Sequence, residues 1–380
     1  MQSDKDNVSG SSSDDAVKDV RTTAIGLMSG TSMDGIDVAL IETDGVSVYR
    51  LGAFGSYPYV DELRAALKPV VGKMPLPSSD LDQLVRDITD AHAEAVQDFV
   101  GRSGIDLSSV DVAGFHGQTV FHDPENAVTC QLGDGQRLAA ALGVPVVNDF
   151  RSADVAAGGE GAPFAPLYHA ALARQLEAPV CVLNLGGVGN LSWISADGAV
   201  IAFDTGPASA MIDDWVHEHT GEIMDTDGAL ARTGKVDSEV LVRLLDDPYF
   251  SKPFPKSLDR DHFDRSCVNE LSLEDGAATL VAFTAMSVKK SAELLPAPPL
   301  KWLVTGGGRH NPAIMAGLRR LLDSPVEPVE TVGWNGDAIE AQAFAFLAVR
   351  SIKGLPLSMP STTGIPKPQR GGVFHLPHKT

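Results

Sequence analysis

The chain carries the same succession of segments twice. In residues 24–51 an apolar strand runs into a glycine-bearing turn, a second apolar strand follows, and an Asp–Gly turn leads into a third strand-like run. Residues 180–206 repeat this order, with glycines in the first turn and Asp–Gly in the second. Short turns of this composition between alternating apolar residues are typical of β-hairpins. The repeat predicts a duplicated β-meander, which limits the fold to architectures with two related halves.

The turn of the first hairpin lacks bulky side chains. Gly30 exposes backbone, Thr31 and Ser32 supply hydroxyls, and Asp34 supplies a carboxylate. Backbone N–H groups and hydroxyls suit a phosphate, and a carboxylate suits the Mg²⁺ that accompanies it. Two interpretations are open: a phosphate site, or an ordinary tight turn in which Asp34 bonds its own backbone.

Two further glycine turns fit the first interpretation. Gly186–Gly187 occupies the corresponding turn of the second copy, and Gly306–Gly308 lies between an apolar strand and a helix-like segment. N–H donors at such a strand–helix junction suit a nucleotide. The sequence has neither a GxxxxGK[ST] loop nor GxGxxG spacing, which disfavours the two common nucleotide-binding loops. These turns predict a phosphate clamp formed by two opposed hairpins.

Polar residues beside apolar segments are candidate site residues. Asp204 follows the apolar third strand of the second copy, where a catalytic base and an N-cap of the next helix are both compatible interpretations. His116 ends a buried-strand pattern and is followed by Gly117–Gln118, and strand ends of this kind point into clefts. Glu340 lies on an Ala-rich apolar helix, where a buried charge is costly unless it is paired or functional.

The composition limits the partners and the location. A length of 380 residues favours two lobes, and the first 22 residues, rich in Ser, Asp and Gly, are predicted to be a disordered extension. That segment lacks the apolar core of a signal peptide, and three scattered cysteines argue against a disulfide framework, so we expect a cytoplasmic protein. A net charge of −20 argues against nucleic acid and anionic membranes as partners.

Six segments resemble those of the anhydro-N-acetylmuramic acid kinase family, within the actin, Hsp70 and sugar kinase superfamily. In the order of the family they are GLMSGTSMDGIDVAL from Gly26, FHGQTVFH from Phe115, NDFRSADVAAGGEGAPFAP from Asn148, NLGGVGNLS from Asn184, FDTGPASAMIDDW from Phe203 and TGGGRHNP from Thr305. The resemblance implies an α/β fold with two ribonuclease-H-like lobes of the actin and hexokinase type and a central active-site cleft. We expect the first lobe to comprise residues 23–149 plus about 355–380 and the second residues 150–354. The resemblance also suggests a homodimer.

The resemblance further implies an activity. Members of the family use ATP and Mg²⁺ to phosphorylate O6 of 1,6-anhydro-N-acetylmuramic acid, an amino sugar of peptidoglycan recycling, and open its anhydro ring with water in the same event. Asp204 would be the catalytic base, and Glu340 would help to position the water or the sugar. The residues that the resemblance assigns to ATP are Ser29, Gly30, Thr31, Ser32, Met33, Asp34, Gly35, Ile36, Gly186, Gly187, Gly306, Gly307, Gly308 and Asn311, with Asp34 also serving the metal. Those that it assigns to the sugar are His116, Gln118, Asp149 and Arg151.

The chain departs from the family pattern at three places. Ala208–Ser209 stands where Gly–Asn is usual, so a methyl group is expected close to the ligand. Glu160 stands where Gln is usual and adds a charge. Leu258–Asp259 replaces Thr–Gly. These differences place substrate specificity, more than reaction class, in question.

Other functions remain open beside this one. The departures are compatible with a related sugar or acyl phosphotransferase that has another substrate. An ATP-binding sensor without turnover would be expected to lose its catalytic carboxylates, and these are present. A pure glycosidase would need two opposed carboxylates and no nucleotide, which would leave the glycine turns without a purpose.

Overall fold

The structure is a computed structural model that describes residues 21–30, 32–74 and 77–377. Thr31 and the first twenty residues of the expected disordered extension lie outside the described residues. The strands are β1 (Thr22–Ser29), β2 (Gly35–Thr43), β3 (Val48–Pro58), β4 (Val112–Asp123), β5 (Val128–Leu132), β6 (Val146–Asn148), β7 (Val180–Leu185), β8 (Val188–Ile194), β9 (Val200–Pro207), β10 (Lys301–Thr305), β11 (Val326–Pro328) and β12 (Val373–His375). The helices are α1 (Asp61–Leu67), α2 (Ser79–Ser103), α3 (Gly135–Leu142), α4 (Ser152–Ala156), α5 (Pro166–Ala173), α6 (Ser209–Thr220), α7 (Ala229–Thr233), α8 (Ser238–Leu245), α9 (Leu273–Ala292), α10 (Pro312–Leu321), α11 (Ile339–Ile352) and α12 (Pro360–Thr363).

The strands form two sheets with the same internal order. Sheet 1 runs β12-β6-β4-β1-β2-β3, with β5 paired to β4, and sheet 2 runs β11-β10-β7-β8-β9. In each sheet the meander is antiparallel, and its first strand pairs in parallel with a later strand, β4 or β10. This confirms the duplicated meander and the α/β class with two ribonuclease-H-like sheets.

Burial follows from what covers each sheet. The first strand of sheet 2, β7, is buried along almost its whole length, which suits its continuous apolar sequence because central strands covered on both faces need no polar alternation. One core cluster contains α6, α9 and α10 packed on sheet 2. Another joins β1 and β4 to α2 and α3. A third contains α11 with residues of both sheets.

Two glycines allow α11 to lie directly on sheet 1. A Cβ at Gly26 of β1 would stand 1.8 Å from the carbonyl oxygen of Ala341, and one at Gly114 of β4 would stand 2.1 Å from that of Phe344. Side chains at these positions would push the helix off the sheet. The absence of a Cβ therefore brings the start of α11, with Glu340, next to the first hairpin.

The lobe boundaries stay a prediction, but three observations bear on them. Strand β1 already begins at Thr22, the last residue of the expected extension. Helix α11, expected in the second lobe, packs mainly on β1, β2 and β4 of sheet 1. The C-terminal segment contacts both sheets, because β12 pairs with β6 while α12 packs on β9. Within the described residues, no helix is long and apolar enough to cross a membrane.

Candidate active site

The first hairpin is fastened to β4 by residues that the sequence had singled out. Ser29 Oγ donates to the carbonyl oxygen of Gly117 at 2.9 Å, and Gln118 Nε2 donates to that of Gly30 at 3.0 Å. Met33 N–H closes the turn on Gly30 at 3.1 Å. Gln118 is fully buried, and its Oε1 has no hydrogen-bond partner among the described residues. A buried acceptor of this kind normally needs a ligand or a water molecule.

Carboxylates converge beside this hairpin. Asp34 is largely exposed and lies 3.9 Å from Arg64 Nη2, so its carboxylate faces outward from the turn. Partial burial of Asp37, together with the negative charges of Asp337 and Asp34, raises the pKa of Asp37, although Ser56 opposes this with a hydrogen bond. Carboxylate oxygens are the donors that Mg²⁺ prefers, and their mutual repulsion favours a cation between them. No three His, Cys, Asp or Glu side chains of the described chain are grouped closely enough to coordinate a metal directly.

The glycines of the second hairpin and of the late turn differ in their surroundings. Gly186 has only one atom within 4 Å of an added Cβ, and Gly307 has none, so both leave room for a ligand to approach the backbone. Gly306 has a φ of +77°, and an added Cβ would stand 2.3 Å from Asn184 Oδ1. An added Cβ on Gly308 would stand 2.7 Å from the Cβ of Leu185. Gly306 and Gly308 are therefore needed to pack the turn against β7, whereas Gly307 is free to face a nucleotide.

The segment after this turn has structural tasks that the sequence did not reveal. Asn311 caps α10, because its Oδ1 accepts from Ala313 N at 2.9 Å and Ile314 N at 3.3 Å. Arg309 has a buried side chain that pairs with Glu330 at 3.0 Å and with Asp337 at 2.8 Å. These ion pairs hold the glycine turn against the segment that leads into α11. The assignment of Asn311 to ATP stays a prediction.

The Ala208–Ser209 departure has a different environment from the one expected. The side chain of Ala208 is fully buried within the core of sheet 2, so its methyl group does not face the ligand, and that expectation is wrong. The Ala208 N–H donates to the carbonyl oxygen of Gly187 at 3.0 Å, and Ser209 donates to that of Gly186 through both N–H and Oγ, at 2.9 Å and 2.8 Å. The two residues fasten the second hairpin to the start of α6.

The sequence predicted that His116 would end a strand, but that prediction is wrong, because His116 lies inside β4. Gly117 has a φ of +72° and bends the strand, and β5 pairs with the part beyond it, so the strand continues to Asp123. His116 Nε2 accepts from Arg151 Nε at 3.1 Å and from Nη2 at 2.9 Å. Burial and the Arg151 charge lower the pKa of His116 well below its usual value. The ring is therefore neutral and serves to orient the guanidinium.

Arg151 carries a positive charge beside His116. Its Nη1 donates to the carbonyl oxygen of Gly161 at 2.6 Å. Burial lowers its pKa to about 10, and the charges of Glu340 and Asp154 oppose that shift, so it stays protonated at neutral pH. Asp149 accepts from Ser152 N at 3.2 Å and, like His116, lines a cavity of about 260 Å³.

Glu340 is exposed in the space between the two sheets, whereas the apolar helix had suggested burial. Its Oε1 accepts from Asn184 Nδ2, at the end of β7, at 3.1 Å. Partial desolvation by the surrounding protein and the charge of Asp37 raise the pKa of Glu340, while Arg151 and Asn184 lower it. Glu340 is thus hydrogen-bonded to Asn184 of sheet 2 and interacts electrostatically with Arg151.

Asp204 is half-buried in β9 and is not the N-cap of α6, since Ala208 occupies that position. Its Oδ2 accepts from Leu258 N at 2.8 Å, and its carbonyl oxygen accepts from the Tyr249 hydroxyl at 2.5 Å. Burial raises the pKa of Asp204 to about 7, and the negative charge of Glu160 adds to this increase. The hydrogen bond from Leu258 and the positive charge of Lys256 lower the pKa and so oppose it. A carboxylate that titrates near neutrality is suited to general base catalysis.

Sequence reasoning missed several of these neighbours. Asn184 is in a quoted segment, but only its position opposite Glu340 shows its use. Lys256 is buried, and its Nζ lies 4.3 Å from the centre of the Tyr249 ring. Burial and the positive charge of Lys252 lower the pKa of Lys256 to about 8, whereas the negative charge of Asp204 opposes this shift. Lys256 lies in the short segment Pro255–Ser257, which matches the family only weakly, and nothing in the sequence indicated that it lies close to Asp204.

Comparisons with known proteins show the family of this chain. The model of the family described as "Anhydro-N-acetylmuramic acid kinase" matches residues 22–376. A protein of that name from Paramagnetospirillum magneticum is 56% identical over 357 residues, which are 93% of this chain and 99% of that protein. Proteins of the same name from Rhodospirillum rubrum and Acidiphilium cryptum are each 55% identical, over 92% and 93% of this chain and 93% and 98% of theirs. The chain therefore belongs to the anhydro-N-acetylmuramic acid kinase family.

Proposed function

We propose that this chain is a kinase that acts on 1,6-anhydro-N-acetylmuramic acid, and that it opens the anhydro ring and phosphorylates O6 in one event. Water would attack the anomeric carbon, the bond from that carbon to O6 would break, and O6 would form a bond to the γ-phosphorus of ATP as ADP leaves. The products would be N-acetylmuramic acid 6-phosphate and ADP, as peptidoglycan recycling requires.

The observation that carries the proposal is the environment of Asp204. A half-buried carboxylate with a pKa of about 7 is ionised in about half of the molecules at pH 7, and in that form it can accept a proton from water. The Leu258 N–H holds one carboxylate oxygen, which leaves the other available to a water molecule. Asp204 is on β9, beside the second hairpin, where a phosphate clamp would bring ATP.

Arg151 and Glu340 would form the opposite side of the sugar site. The guanidinium is half-buried, charged and oriented by His116, so it suits the lactyl carboxylate of the substrate. Glu340 is exposed between the sheets and anchored by Asn184, so it can accept hydrogen bonds from the sugar or the attacking water. Asp149 and Gln118 would supply further polar contacts.

ATP would lie between the two hairpins and the late glycine turn. The backbone at Gly30, Gly186 and Gly307 is open enough for phosphate or ribose oxygens to approach it. Mg²⁺ would be held by Asp34 through water, with Asp37 nearby, and would neutralise charge on the phosphates when bound. We also propose a cytoplasmic location, because the reaction consumes ATP, and a homodimer, which stays a prediction.

The test is ADP release from Mg-ATP by the purified protein, with and without the anhydro sugar, together with the mass of the product. We expect sugar-dependent release and a product heavier than the sugar by one phosphoryl group and one water. Phosphorylation without the added water would indicate a simple sugar kinase. ATP binding with no release on any amino sugar would support the sensor alternative and contradict the proposal.

A further inference from the structure

Glu160 is held rigidly in the loop between α4 and α5. Its N–H donates to the carbonyl oxygen of Thr363 at 2.7 Å, and its own carbonyl oxygen lies 2.9 Å from His122 Nε2. The next residue, Gly161, donates its N–H to the buried Asp154 at 2.8 Å. Three contacts from separate parts of the chain thus fix the backbone here, and the fold determines where the Glu160 side chain lies.

The Glu160 carboxylate reaches the segment that binds Asp204. Its Oε2 accepts from Ser257 Oγ at 2.7 Å. The residues on either side of Ser257 are bonded to Asp204, since the Leu258 N–H donates to its carboxylate at 2.8 Å and the Lys256 carbonyl oxygen accepts from its N–H at 3.0 Å. Glu160 therefore anchors, through one hydroxyl, the backbone that orients the candidate base.

The charges around Asp204 give Glu160 a second effect. Lys256 lies on the same segment and favours the ionised form of Asp204, whereas the negative charge of Glu160 disfavours it. Tyr249 contacts the main chain of Asp204 through its hydroxyl, and its own raised pKa keeps it neutral. The Glu160 carboxylate is thus a negative charge that raises the pKa of Asp204. Like charges at short range raise proton affinity, so a glutamine here would leave Asp204 a weaker base.

We propose that Glu160 is a positioning residue that sets the orientation and basicity of Asp204, by anchoring Ser257 and by placing a second negative charge beside the base. The inference rests on the role proposed above for Asp204. A glutamine has nearly the same shape and can still accept from Ser257, but it carries no charge. The Glu160→Gln variant therefore separates the charge from the hydrogen bond, and Glu160→Ala removes both.

The test is the titration of Asp204 in the free protein, followed by the ¹³C resonance of its carboxyl carbon in protein with labelled aspartate. The resonance is assigned by its absence from the Asp204→Asn variant. In Glu160→Gln we expect the midpoint to fall by about half a pH unit or more, because a like charge has gone. The matched control is Glu94→Gln, the same chemical change on the exposed face of α2, which should leave the midpoint in place. An unchanged midpoint in Glu160→Gln would overturn the inference.

Kinetics supply the second readout. The acid limb of the kcat/KM profile should move to lower pH in Glu160→Gln. Glu160→Ala should move the limb and also lower kcat, because Ser257 loses its anchor and the neighbouring Leu258 N–H no longer holds Asp204 in place. A merely structural role would lower the rate in both variants and leave the limb unmoved. If instead Asp204→Asn stays active, the proposed base is wrong, while the titration still reports separately whether Glu160 acts on Asp204.

Discussion

Asn184 and Glu340 join the two halves of the site, with Asn184 Nδ2 donating to Glu340 Oε1 across 3.1 Å. Asn184 is the penultimate residue of the first strand of sheet 2, and Glu340 lies in the first turn of the helix that packs on sheet 1. The same Asn184 side chain lies against Gly306, where an added Cβ would approach its Oδ1 to 2.3 Å. One amide thus connects the late glycine turn to the Glu340 carboxylate, and under the proposed assignments the nucleotide and sugar sites would share this residue.

Replacing Glu340 by glutamine tests this carboxylate directly. The glutamine oxygen can still accept from Asn184, so the fold should hold while the charge is lost. We expect kcat to fall by about ten- to a hundredfold with a smaller change in the KM for the sugar, because the charge would act on the reacting water more than on substrate binding. A change confined to KM would restrict Glu340 to binding the sugar.

Asp204→Asn should abolish most of the turnover. Asparagine can still accept from the Leu258 N–H, so folding should be normal, but it cannot take a proton from water. We expect sugar-dependent ADP release to drop by about 10²- to 10⁴-fold, the usual contribution of a positioned base. Asp82→Asn, the same change on the exposed surface of α2, is the matched control. More than a tenth of wild-type activity in Asp204→Asn would remove it from this role.

The pH dependence of stability offers a test of Asp204 without substrate. Its pKa is raised from 3.8 to about 7, so the folded state binds this proton more tightly than the unfolded state does. The resulting stabilisation is fully present below pH 3.8 and is lost as the pH rises through 7. Asparagine does not ionise, so the Tm of Asp204→Asn relative to wild type should rise across this window. A Tm difference that is independent of pH would mean that Asp204 titrates normally.

Arg151→Lys keeps the charge but loses the planar fork that bonds both His116 and the Gly161 carbonyl. The single ammonium group of lysine cannot reproduce the hydrogen bonds to both His116 and the Gly161 carbonyl oxygen. We expect the KM for the sugar to rise by about ten- to a hundredfold, in keeping with the loss of a charge-assisted hydrogen bond, while the KM for ATP stays near wild type. An equal rise in both constants would show that the variant has disturbed the whole cleft.

Gly306→Ala and Gly307→Ala form a matched pair within one turn. At Gly306 the φ of +77° and the approach to Asn184 leave no room for a methyl group, so alanine should lower the Tm markedly. A Cβ added at Gly307 would have no atom of the described residues within 4 Å apart from those of its own turn, so the free energy of unfolding should change by less than about 0.5 kcal/mol. The KM for ATP should rise, because the methyl group would cover backbone that is open to a ligand. Thermal unfolding and ATP kinetics of both variants distinguish the two effects. A Gly307→Ala variant with normal ATP kinetics would remove that residue from the nucleotide site.

The meanders could be predicted because their signals are local. Strands β7 and β8 lie within residues 180–206, where the repeat predicted the second meander, since periodicity and turn chemistry act over a few neighbouring positions. His116 was misplaced because the continuation of β4 depends on pairing with β5, which the local pattern does not contain. The Ala208 methyl group was misplaced because its direction depends on how α6 packs on sheet 2.

The sequence by itself determined the two hairpins, their glycine turns and the identity of the carboxylates, because each is contained in a short segment. Only the tertiary structure decided which of these groups meet. Glu160 and Ser257 are 97 residues apart, and Asn184 and Glu340 are 156 apart. Such contacts arise when two sheets and α11 pack together, and local conformational preferences carry no information about that packing. The basicity of Asp204 is likewise decided by the tertiary structure, since it results from burial and from the charges of residues that are distant in the sequence.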